Sequence, residues 1–97
     1  MNNNDSVDIF TPLINYFPLE NRLLNLSITY FGIVPLEEGH AAVSRVIIAM
    51  QKSGVHSIGD FLFLSLMQIY SLVTISNRTI KILWDILGKL LDNPALI

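Results

Sequence analysis

The segment Gly54-Val55-His56-Ser57-Ile58-Gly59-Asp60-Phe61 constrains this chain more than any other. It predicts the end of one helix, a tight turn and the start of a second. Glycine reaches the left-handed backbone conformation that closes a helix without the penalty a Cβ imposes, which suits Gly54 to that place. Ser57 is positioned to accept a hydrogen bond from the amides freed at the next helix start. Asp60, three residues on, holds the reciprocal position of a capping box. Val55 and Ile58 are the apolar residues that anchor such a turn in a core. Two helices joined this tightly leave backbone and side chains at one edge, a geometry suited to gripping a phosphate backbone or another protein.

The remaining pattern is helical, with no sustained period-two alternation. Thr11 and Pro12 predict a short helix, Thr11 as cap and Pro12 at the first helical position, stopping before Pro18. Residues 19–31 predict one helix ended by Gly32, with Leu23, Leu24, Leu26 and Tyr30 apolar. Residues 37–53 predict another, with Val43, Val46, Ile47 and Met50 inward. Gly39 leaves its first turn open, so its firm part begins near Ala41. Ser57 starts a helix through Leu64, and Ser65 caps one over residues 66–72. Asn77 is expected to cap the last helix, which ends at Asp92-Asn93-Pro94. Ile80, Leu83, Trp84, Leu87 and Leu91 fall on one face of it, and Lys81, Asp85 and Lys89 on the opposite face. Trp84, Phe61, Tyr70 and Phe31 are expected in the core.

The chain is 97 residues long, 52% hydrophobic and 14% charged, which is greasier than an average domain of its size. No charge stands between Asp60 and Arg78. The apolar run inside that stretch is too short, and too interrupted by Ser65, Gln68, Ser71 and Thr74, for the roughly 20 apolar residues that cross a bilayer. The alternative is a surface covered by a partner or by a second copy. With no cysteine, disulfides and thiolate metal sites are excluded. The polar opening, residues 1–5, lacks the layout of a secretory signal, so the cytoplasm is the expected location. Net charge is −2 and unevenly spread, residues 1–44 carrying −4 and residues 45–97 carrying +2. Only the second half therefore favours a polyanion.

His40 and His56 lack metal-ligand spacing with a second histidine or a carboxylate pair, so no metal is expected. Glu37-Glu38-Gly39-His40 has no nucleophile or oxyanion loop beside it, and no Gly-rich phosphate cradle occurs. No enzyme activity, cofactor or small-molecule substrate is expected.

From Ser44 to about Leu90 the chain resembles the C-terminal domain of the bacterial RNA polymerase alpha subunit. That family shows an arginine opening a helix, a small residue nine positions later, an Ile-x-Thr-Ile-Gly-Asp-Leu-like segment, and an Asn-x-Gly-basic-basic-Ser-Leu loop leading into a final helix. Here Arg45 stands nine residues before Gly54, Val55-His56-Ser57-Ile58-Gly59-Asp60-Phe61 follows in register, and Thr74-Ile75-Ser76-Asn77-Arg78-Thr79-Ile80 falls on the loop without a gap. Pro35-Leu36-Glu37-Glu38 is similar to the family's approach to its first helix, displaced by one residue. The match covers about half the chain. It implies a compact helical unit that binds the DNA minor groove and docks transcription factors. Arg45 then matches the groove-entering arginine, Arg78 a basic backbone contact, and Thr79 a hydroxyl beside it. The chain departs from the pattern at Ile48, Thr74, Ser76 and Ile82, where the family has asparagine, asparagine, glycine and glutamate.

The expected fold is all-α: one domain over residues 1–97, a compact bundle of five or six short helices. Residues 1–40 are a helical extension, and residues 41–92 a helix-hairpin-helix-like core. Two functions stay open. One is a transcription-associated module in which Arg45, Ser76, Asn77, Arg78 and Thr79 meet duplex DNA. The other is a protein-interaction or self-association module using Phe63, Leu64 and Leu66, apolar where the family is polar or charged. Arg45 has a plain alternative as a solvated residue or one paired with Glu37 or Glu38.

Overall fold

A computed structural model describes residues 8–97, so the polar opening at residues 1–5 lies outside the described residues. Five α-helices follow in order: α1 (Asn21–Leu24), α2 (His40–Lys52), α3 (Ile58–Leu62), α4 (Leu66–Leu72) and α5 (Asn77–Asp92). Short 3-10 turns stand at Leu13–Asn15, Ile28–Ile33 and Pro94–Leu96. The fold is all-α. Among the described residues the only sheet-like pairing is two isolated antiparallel bridges, Pro12 with Ser65 and Ser27 with Ser57.

The central hairpin forms as its residues dictate. Gly54 sits at φ 88°, and the Gly54 and Val55 amides donate back to the carbonyls of Gln51 (3.1 Å) and Met50 (2.9 Å). Those two bonds close α2 with a Schellman motif. The Asp60 amide donates to Ser57 Oγ at 2.9 Å, while Asp60 Oδ2 accepts from the Ser57 and His56 amides, each at 3.1 Å. These backbone bonds, Ser57 first and His56 second, hold the Asp60 carboxyl below the usual carboxylate range. Ser65 repeats the device. Its hydroxyl accepts from the Gln68 amide, and Gln68 Oε1 accepts from the Ser65 amide.

The first forty residues depart most from expectation. Residues 19–31 form α1 and then a 3-10 turn, not one helix. The Ile28 amide donates to the His56 carbonyl and the Ile58 amide to the Leu26 carbonyl, both at 2.9 Å. This reciprocal pair draws the backbone around Ser27 out straight against the hairpin. Pro12 flanks the first 3-10 turn instead of entering a helix, and α2 starts at His40 because Gly39 takes φ 93°.

These residues supply part of the core itself. Leu13, Leu23, Ile28 and Phe31 are buried in the same cluster as Met50, Ile58, Phe61, Leu83 and Leu87. Phe31 meets Phe61 edge-on at 5.6 Å and Phe17 meets Trp84 at 5.6 Å, contacts worth about 0.5–1.5 kcal/mol each beyond the area they bury. Two further placements are corrected. Tyr70 is exposed, its hydroxyl donating to Asn77 Oδ1 (3.1 Å), and Leu91 is exposed while Leu90 completes the buried face of α5. No described helix is long and apolar enough to cross a membrane.

Candidate functional site

The N-terminal end of α5 is built on Ser76, not on the expected Asn77. The Ser76 hydroxyl accepts from the Thr79 amide at 3.2 Å and lies 3.0 Å from the Thr79 hydroxyl. Thr79 is thereby buried in the helix start, and Asn77 is turned toward Tyr70. The Asn77 and Arg78 amides make no hydrogen bond among the described residues. They sit at the positive end of a sixteen-residue helix, where unpaired N–H groups and the helix dipole favour an anion.

Against this end lies α2. Gly39, Ala41, Ala42 and Arg45 from its first turns and Ser76, Arg78, Thr79 and Ile82 from α5 line one open depression. A second depression adjoins it on the far side of Arg45, between Val46 and Ala49 of α2 and the link residues Thr74 and Ile75. Arg45 stands where the two meet. Ala42 lines both depressions, and Arg78 lines only the first. The fold therefore places two arginines that are 33 positions apart in the chain on the lining of one depression.

Arg45 is exposed and forms no ion pair among the described residues. One of the two carboxylates weighed as its alternative partner goes elsewhere: Glu38 Oε1 lies 3.4 Å from Arg78 Nη2, with the two side chains 74% and 72% exposed. At such exposure the pair contributes about 0.2–1 kcal/mol at most. Glu37, Glu38, Lys81, Asp85 and Lys89 continue as a rim of alternating charge. Sequence reasoning missed Ala42 as a lining residue and Glu38 as the partner of Arg78. The signal for Glu38 was Gly39, whose left-handed turn delays α2 and leaves the preceding carboxylate beside α5.

The hairpin offers no comparable place. Asp60 already occupies the His56 and Ser57 amides that an anion would use.

The apolar candidates separate. Phe63 is 63% exposed. Leu64 and Leu66 are half-buried against the core, because the Leu13 amide donates to the Leu64 carbonyl and the Met67 amide to the Ile9 carbonyl, laying residues 9–13 along the α3–α4 link. They expose less of their surface than Phe63 does. Ile9, Phe10 and Met67 are the exposed apolar side chains of that segment. Among the described residues no group of three or more metal-ligating side chains converges.

No family model, curated protein or solved structure matches the chain.

Proposed function

We propose that this chain is a non-enzymatic binding module that grips the phosphate backbone of duplex DNA at the start of α5, with Arg45 entering the minor groove, in a transcription-associated role. What carries the reading is the convergence of Arg45 with Ser76 and Arg78 on one open depression beside the two unpaired amides of α5. Phosphate recognition draws on arginine side chains and helix N-terminal amides together, and base contacts then refine it. The likeness to the polymerase alpha C-terminal domain points the same way, since the two arginines it singles out both line this depression. Thr79 is the least exposed of the five residues expected to meet DNA, its hydroxyl 3.0 Å from that of Ser76.

The test is fluorescence anisotropy with a labelled duplex over a salt series. Two arginines neutralising about two phosphates give a log–log slope of about −2, from roughly 0.9 per phosphate. Arg45→Ala removes most of the binding. Absence of binding at low salt refutes the proposal.

A second reading, protein interaction or self-association, is favoured by one observation, the exposure of Phe63. Sedimentation of the parent and of Phe63→Glu tests its self-association form. A parent that sediments as a monomer at all concentrations removes it.

A further inference from the structure

We infer that Glu38 is a fixed anionic brake on the Arg78 side of this groove, competing with phosphate for the same guanidinium. The inference rests on the DNA-backbone reading above. It begins from what holds residues 35–39 in place. Val34, just before them, is fully buried. The Pro35 carbonyl accepts from Lys89 Nζ at 2.8 Å. Gly39 stands at φ 93° with Ile82 Cδ1 filling the space a Cβ would take, 2.5 Å from its ideal position. The turn thus meets α5 at both ends, through the Lys89 side chain at Pro35 and through the packing of Ile82 at Gly39.

The Glu38–Arg78 ion pair is the weakest of these attachments, because both partners lie in solvent. Glu38 is held near Arg78 whether or not the pair forms. A phosphate entering the depression must displace the Glu38 carboxylate from the guanidinium, and then meets its charge a few ångströms away. An exposed carboxylate at that distance weakens binding without blocking it, and salt screens the effect. Arg45 carries no such counter-charge among the described residues, so the two arginines of the groove are unequal.

The experiment is duplex binding by anisotropy from low to physiological salt, with the parent, Glu38→Gln, Arg78→Gln and the double variant. Glu38→Gln is expected to tighten binding about two- to five-fold at low salt, with the gain shrinking as salt rises. Arg78→Gln weakens binding, and in that background Glu38→Gln gains much less, because the competed group is gone. If the parent binds and Glu38→Gln binds no tighter, the brake is overturned while the DNA reading stands. An equal gain with and without Arg78 also overturns it, leaving a general charge effect. If none of the four binds duplex at low salt, the DNA reading fails and takes the brake with it. Circular dichroism melts of all four report folding, and Glu38→Gln, which removes only an exposed ion pair, lowers the midpoint by a few degrees at most.

Discussion

Gly88 lies in the interior of α5 and Gly59 in the first turn of α3, and the structure assigns opposite signs to the same substitution. Alanine is worth about 1 kcal/mol more than glycine in a helix interior. At Gly88 nothing stands within 4 Å of an added Cβ, so Gly88→Ala is expected to stabilise by about 0.5–1 kcal/mol. At Gly59 the added Cβ falls 2.9 Å from the Leu24 carbonyl oxygen and 3.4 Å from Leu24 Cβ. That neighbour is backbone, and α1 has no easy retreat. The chain just beyond it is pinned to the hairpin by the Leu26 and Ile28 bonds to Ile58 and His56. Forcing a methyl into such a contact costs about 1–3 kcal/mol. After the helical gain, Gly59→Ala is expected to lose about 1–2 kcal/mol. The two variants should then differ by about 1.5–3 kcal/mol, or roughly 6–24 °C in melting midpoint for a chain of this size. Urea unfolding followed by the fluorescence of Trp84 reads both, since this single tryptophan is 8% exposed and lies tilted against Phe17. A Gly59→Ala protein as stable as the parent would refute the close approach of α1 to α3.

Leu13 is fully buried, so Leu13→Ala should cost about 2–5 kcal/mol; an unchanged urea midpoint would mean that the N-terminal segment is not part of the core. Asp60 gives a pH signature: its folded pKa is lowered, first by the Ser57 amide and then by that of His56. Its contribution is therefore complete above the unfolded carboxylate value and is lost as pH falls through the lower folded value. Parent and Asp60→Asn should converge in thermal stability on acidification below about pH 4, and a gap that stays constant there contradicts the capping role. Gly39→Ala, forced into left-handed backbone, should cost about 1–2 kcal/mol, and a neutral result in the same urea assay would contradict the φ 93° turn.

What the sequence disclosed depends on how local each cause is. The α2–α3 hairpin was legible because Gly54, Ser57 and Asp60 act on amides within four residues of themselves, and the Ser65 cap was legible for the same reason. The break at Asn25 to Ser27 was not. It comes from backbone bonds to His56 and Ile58, thirty positions away, which override a helical period that Leu23, Leu26 and Tyr30 satisfy well. The half-burial of Leu64 and Leu66 was hidden for a like reason, since it is the Ile9 to Leu13 backbone that covers their link. Choosing between Ser76 and Asn77 as cap failed on a single position, where two good capping residues are adjacent and only the register of Thr79 decides. Within the site, Arg45 and Arg78 were both named from their sequence setting. Their shared depression depends on how α2 crosses α5, and the carboxylate beside Arg78 depends on the Gly39 turn.

The electrostatics of that depression limit what such a module does under the proposed function. Two arginines and two free amides give a shallow salt dependence compared with proteins that make six to ten phosphate contacts. The acidic rim at Glu37 and Glu38 lowers the attraction further. A grip of this size holds duplex DNA weakly by itself at physiological salt. It becomes effective when a linked partner or a second DNA contact raises the local concentration, because joining two weak contacts multiplies their affinities without adding any new one. On this reasoning the exposed Phe63 and the Arg45 groove need not be rivals. A contact through Phe63 that tethers the chain near DNA would supply what the two arginines lack. Dimerising the chain artificially through a flexible linker should then strengthen duplex binding far more than any single charge substitution in the groove.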